Sequence, residues 1–173
     1  MKIITLIALV STLLFAAVLT EGLIRGNDNT VEASIDIEAP QAVIWNVLLT
    51  MEDHEQWNTF RISDANPGPS SFHNVTYNFS GRKIRFREKY TVEQKNRRIL
   101  FAPADSIPAA FLNSFCNTIS LKPLADGTTH VRWQTRYKVS TISANLISRF
   151  YILPALRKAL VKNLKSLKDF IER

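Results

Sequence analysis

Residues 141–173, TISANLISRFYILPALRKALVKNLKSLKDFIER, hold the longest helical pattern in this chain of 173 residues. Leu146, Phe150, Leu153, Leu156, Leu160, Leu164, Leu167 and Ile171 recur every three or four positions, a spacing that lines them up as one stripe of a helix. Arg149, Arg157, Lys158, Lys162, Lys165 and Lys168 fall between them, so the opposite side is basic and meets water or something acidic. A helix this long and this one-sided needs a large apolar surface to lie on. Pro154 sits inside the pattern, where it removes a hydrogen bond and predicts a bend.

The surface is supplied by alternating segments upstream. Val31 to Ala39 sets Ala33, Ile35 and Ile37 against Glu32, Ser34, Asp36 and Glu38, the pattern of a half-buried strand. Pro40 then opens a short amphipathic helix through Val43, Ile44, Val47 and Leu48 that stops near Thr50. Residues 51–57, MEDHEQW, read as a second short and polar helix ending on Trp57. Six further strands are predicted: 60–65; 73–79; 84–92, with Ile84, Phe86, Tyr90 and Val92 inward; 98–102; 111–121; and 131–139, behind the hairpin signal Asp126-Gly127. A loop at 66–71, NPGPSS, separates the first two of them. Connections this short make an antiparallel sheet, because parallel neighbours need crossovers of a dozen or more residues. The class is therefore α+β, a curved antiparallel sheet wrapped around the long C-terminal helix.

Composition bounds the rest. The chain is 46% hydrophobic and 21% charged, enough for one core plus a short extra segment. Its formal net charge of +7 favours acidic partners, such as a phosphate polymer or an anionic membrane. The single cysteine, Cys116, excludes an internal disulfide and any multi-cysteine metal site.

Ile3 to Leu19 carry no charge. At about 1.5 Å per residue the run reaches roughly 26 Å, on the border between a signal-peptide core and a membrane span. A small-x-small cleavage site is poorly formed, which favours an uncleaved single-pass anchor over 1–24, followed by a tether at 25–30 and a domain over 31–173. Lys2 and the amino terminus favour a cytoplasmic start and a domain on the non-cytoplasmic side. Cleavage, with a secreted or periplasmic product, and the opposite orientation stay open.

The order of strand, two helices, six strands and long helix resembles the START-like, or SRPBCC, superfamily with its helix-grip fold, within it the bacterial polyketide cyclase/dehydrase and lipid-transport group. Ile35 to Trp45 (IDIEAPQAVIW), Asp53 with Trp57, the hairpin around Leu121-Lys122-Pro123 and Asp126-Gly127-Thr128-Thr129, and Leu164 to Glu172 (LKSLKDFIE) carry the resemblance. It covers roughly residues 31–173. It implies a site for a lipid, sterol, polyketide or other hydrophobic molecule between sheet and helix, with catalysis in only some members. The longer loop with Pro67-Gly68-Pro69 departs from the pattern at the mouth of that cavity.

Glu88 is the candidate for chemistry. Strict alternation places it inward with Phe86 and Tyr90, where a carboxyl held among aromatics is pushed toward its neutral form and can act as acid or base. The alternatives are contact with ligand or water, an arginine partner, or a bulge that turns it outward. Asn117 and Thr135 share the inward parity and suit either a ligand's polar end or an internal hydrogen bond. Trp57, Tyr77, Tyr90, Trp133 and Tyr137, with Phe150 and Leu153 from the helix, either line a pocket or fill the core. The helix portion from Leu146 to Leu160 is expected to face the ligand, and Leu164 to Ile171 the core.

His54, His73 and His130 are too scattered for a metal site, with His54 read in a solvated acidic turn and His130 toward solvent. No phosphate loop, dinucleotide glycines or nucleophile elbow occurs, so no cofactor is expected. Arg85, Arg87, Lys89, Arg98, Arg132, Arg136 and Lys138 make the outer sheet face basic, suited to anionic lipid headgroups or simply to water. Nucleic acid is not expected, because the aromatics point inward rather than interleaving with these charges.

The residues, together with what the resemblance implies, leave three functions: a membrane-anchored binder or carrier of a lipid or other hydrophobic small molecule; a cyclase- or dehydratase-like enzyme using Glu88 as acid-base; or a scaffold with a basic membrane- or partner-binding surface.

Overall fold

The structure is a computed structural model that describes residues 27–50, 53–59, 61–63, 72–79, 82–106 and 112–173. The expected anchor at 1–24 and the loop at 66–71 lie outside them. No helix among the described residues is long and apolar enough to cross a membrane.

Strand β1 (Asp28–Ile37) leads into helix α1 (Gln41–Leu49) and the single turn α2 (His54–Trp57). Then come β2 (Arg61–Ser63), β3 (Phe72–Phe79), β4 (Arg82–Gln94), β5 (Arg98–Pro103), β6 (Leu112–Pro123) and β7 (Thr129–Val139). All seven strands form one antiparallel sheet in the order β1-β7-β6-β5-β4-β3-β2. β2 to β7 pair with their sequence neighbours, while β1 crosses over to close on β7. It begins at Asp28, so three residues assigned to the tether belong to the sheet, with Asp28 opposite Lys138.

Turn chemistry holds the meander in register. Gly127 supplies a φ of +86° in the β6–β7 hairpin, and Asn96 a φ of 60° in the β4–β5 turn. Alternation on β7 is strict, with Val131, Trp133, Thr135, Tyr137 and Val139 all buried. On β4 Val92 still pairs with the buried Ile99, and the register shifts only beyond it, between Val92 and Gln94. Val92, expected inward, is 43% exposed there.

The C-terminal segment is not one bent helix. Helix α3 (Ile142–Ile147), capped by the Thr141 hydroxyl accepting from the Ala144 N–H, is followed by a π-turn (Ser148–Ile152) and then by α4 (Leu153–Ile171). Pro154 stands in the first turn of α4, where no N–H is needed. One residue earlier the Leu153 N–H reaches back five positions to the Ser148 carbonyl. The π-turn therefore absorbs one extra residue and re-phases the helical stripe.

α4 packs chiefly on β1 and α2. Leu156, Leu160, Leu164 and Leu167 are buried against the sheet, each stabilising the fold by about 1.5–3 kcal/mol. Asn163 joins them: its Oδ1 accepts from the Thr59 N–H (3.0 Å) and hydroxyl (2.7 Å), and its Nδ2 donates to Asn58 Oδ1 (3.0 Å). That amide ties the chain after α2 to the terminal helix. At the far end, Glu172 Oε1 accepts from the Glu38 N–H at 2.7 Å and Lys168 Nζ donates to the Asp36 carbonyl at 2.8 Å, fastening α4 to β1.

Candidate functional site

Period-two alternation delivers polar groups from β3, β4, β6 and β7 to the inward face of the sheet. Glu88 on β4 is 2% exposed, and its Oε1 accepts from the Tyr77 hydroxyl on β3 at 2.7 Å. On β6, Asn117 Nδ2 donates to the same Tyr77 oxygen at 3.4 Å. Asn117 Oδ1 accepts from Thr135 Oγ1 at 2.6 Å and from Trp133 Nε1 at 3.2 Å, both on β7. An indole N–H can only donate, which fixes the orientation of the amide. A hydrogen-bonded line thus crosses the sheet from Glu88 through Tyr77 and Asn117 to Trp133 and Thr135.

Beside this line is a cavity of about 10 Å³ bounded by His54, Trp57, Asn58, Tyr77, Glu88, Phe101, Asn117, Ile119 and Trp133. That volume accommodates about one water molecule. The Trp57 indole N–H is buried with no hydrogen-bond partner among the described residues, a donor left over for a polar atom in this space. Trp57 also lies edge-on to Trp133, with centroids 6.0 Å apart. A carboxyl, a phenol, an amide and an indole N–H beside apolar Phe101 and Ile119 can hold the polar end of a mostly apolar molecule, or pass a proton to it.

Tyr77, Glu88, Asn117 and Trp133 line the cavity from the inward positions of their strands, and Trp57 joins them from α2. Phe86 and Thr135 support it, Phe86 stacked flat on Tyr77 at 5.3 Å and Thr135 holding Asn117. Tyr90 stands apart, half-buried and stacked on His73 at 5.6 Å. Tyr137 is buried at the α3 end, hydrogen-bonded to the Ser148 hydroxyl; burial raises its phenol pKa and that bond partly opposes the rise.

Among the described residues that bound this cavity none comes from the terminal helix, whose Leu146–Leu160 portion was expected to face the ligand. Leu153 is half-buried and Phe150 is 64% exposed, because the π-turn rotates Phe150 off the stripe to which its spacing assigns it. His54 requires the opposite correction. It is buried rather than solvated, its Nε2 is 2.9 Å from the Leu48 carbonyl, and its ring packs against Trp57 and Phe101. His54 and Trp57 are three apart, one helical turn, and that pairing was the available signal. Asn58, Phe101 and Ile119 also went unrecognised as lining residues.

Among the described residues no cluster of three metal-ligating side chains occurs. The basic exterior is partly neutralised. Arg87 makes a two-pronged pair with Asp105 (3.0 and 2.9 Å), Arg98 meets Glu93 at 2.8 Å, and Arg132 pairs with Glu32. The Arg132 hydrogen bond lowers the Glu32 pKa below its usual value.

The fold is shared with solved structures of low sequence identity. A protein of Thermus thermophilus is 17% identical with a TM-score of 0.65, covering 83% of this chain and 97% of that one. The Zhui aromatase/cyclase of a Streptomyces species is 11% identical with a TM-score of 0.70, covering 84% and 94%. A START superfamily protein of Mycobacterium smegmatis is 17% identical with a TM-score of 0.55, covering 80% and 98%. No curated protein matches. Residues 28–172 match the family described as polyketide cyclase / dehydrase and lipid transport, and with its helix-grip architecture the chain belongs to that family, within the START-like, SRPBCC superfamily.

Proposed function

We propose that this chain is a binder or carrier of a lipid or other hydrophobic small molecule, taken up between the sheet and α4 and held at a membrane by the anchor at 1–24. The observation that carries the reading is the buried line from Glu88 to Trp133 beside the Trp57 N–H, which has no partner among the described residues. Those groups suit one polar end, and the surrounding aromatics suit an apolar body. A cavity of about 10 Å³ does not hold a lipid, so uptake requires the terminal segment to part from the sheet. The π-turn, whose hydrogen-bond ladder is irregular, is the natural place for that movement. With the start cytoplasmic, the domain lies on the non-cytoplasmic side. Native mass spectrometry of the full chain purified from its host should show a co-purifying apolar molecule. Protein that carries none and takes up no fluorescent fatty acid overturns the reading. Mass spectrometry of the mature amino terminus tests the anchor, which a start near Glu21 would remove.

The cyclase-like alternative is favoured by one contact, the 2.7 Å hydrogen bond between the Glu88 carboxyl and the Tyr77 phenol at the cavity wall. On that reading Glu88 moves the proton while Tyr77 and Asn117 orient a keto or enol group. Glu88→Gln should then abolish turnover of a polyketide substrate and leave its binding intact. Unchanged turnover removes Glu88 from the chemistry.

A further inference from the structure

Ile147, Phe150 and Tyr151 are 57%, 64% and 74% exposed, three large side chains spaced to share one face of the α3–π-turn segment. Nothing among the described residues covers them. The same end of the domain receives the chain's amino-terminal part. The Asn27 carbonyl accepts from the Val139 N–H at 3.1 Å, and Asn29 Nδ2 donates to Asn145 Oδ1 on α3 at 3.2 Å. Asn27 lies eight positions after Leu19, the last of the uncharged run, and that length fully extended spans at most about 28 Å. A bilayer that holds the run is therefore within reach of this end. Charge agrees: between Asp126 and Asp169 the sequence has no acidic residue and nine Lys or Arg. Of these, Arg157, Lys158, Lys162 and Lys165 lie exposed on α4, the helix that follows the π-turn.

We propose that Ile147, Phe150 and Tyr151 insert into the interface of an anionic phospholipid bilayer, with the exposed cations of α4 against its headgroups. Aromatic and branched side chains beside a row of cations are what such an interface accepts. Docking would set the π-turn directly against lipid. The inference rests on the membrane placement proposed above but not on ligand binding, which is read separately by native mass spectrometry.

Phe150→Trp tests it in the full chain reconstituted into equimolar phosphatidylcholine and phosphatidylglycerol with brominated acyl chains. The native tryptophans, Trp45, Trp57 and Trp133, are buried in the core and provide an unquenched baseline. Emission from the introduced indole should shift to the blue and be quenched several-fold, and Lys158→Glu with Lys162→Glu should weaken the quenching. Tyr151→Trp repeats the measurement should the first variant fold poorly. Red-shifted, unquenched emission overturns the proposal by leaving the face in water. Blue-shifted but unquenched emission overturns it in favour of a protein cover, either the chain's own residues 1–26 or a second copy, which cross-linking tells apart. Protein that fails to float with the vesicles overturns this proposal and the anchor together.

Discussion

The two halves of the C-terminal segment have similar apolar content and opposite fates. In α4, Leu156, Leu160, Leu164 and Leu167 are all buried, whereas Ile147, Phe150 and Tyr151 before it are mostly exposed. Helical spacing alone does not separate them. The difference lies in what each half meets, β1 and α2 for α4 but no comparable surface for the outer face of the π-turn. An apolar stripe announces that a partner exists without saying whether that partner is the same domain.

The widest contrast comes from truncating one residue in each half. Leu164→Ala should cost about 2–5 kcal/mol in urea unfolding, because a filled site collapses only in part. Phe150→Ala should stay within about 0.5 kcal/mol, as for other exposed positions. Equal losses would mean that the aromatic tip is packed in solution. Asn163→Ala asks whether α4 is held by more than leucines: it leaves Asn58 and Thr59 without their buried partner, at about 1–3 kcal/mol. A neutral result would reduce that amide to a bystander. Pro154→Ala probes the junction itself. Since Pro154 occupies the first turn of α4, its removal should lower stability by about 0.4–1 kcal/mol; a gain would reveal strain at the π-turn.

The smallest effect concerns the far end of α4. The Glu172 pKa is lowered first by the Glu38 N–H and then by Lys168, partly offset by desolvation. A carboxyl with a depressed folded-state pKa contributes stability that is present above its unfolded value and lost as pH falls through the folded one. Melting temperature should therefore fall slightly in acid, with that component absent in Glu172→Gln. An unchanged acid profile in the variant would unlink this contact from α4 stability.

Much of the sheet was legible because its signals are local. The Asp126-Gly127 turn and the alternation of β7 each need only a few neighbouring residues, and the inward position of Glu88 follows from counting by two along β4. His54 was legible only through its one-turn spacing to Trp57: an acidic stretch of sequence suggests solvent, and its burial depends on Phe101, 47 positions away. Phe150 failed for a different reason, since one extra residue in a π-turn shifts every later position by about 100°.

By itself, then, the sequence determined the class, the number and order of strands, the amphipathic terminal helix and the inward residues of β7. These follow from short-range periodicity and turn stereochemistry, which act within a few residues. Tertiary structure alone decided that β1 closes on β7, that Tyr77, Glu88, Asn117 and Trp133 share one hydrogen-bonded line, and that the cavity beside them is about one water in size. Each of those outcomes depends on how distant side chains fill a common volume, and packing of that kind leaves no periodic mark on the chain.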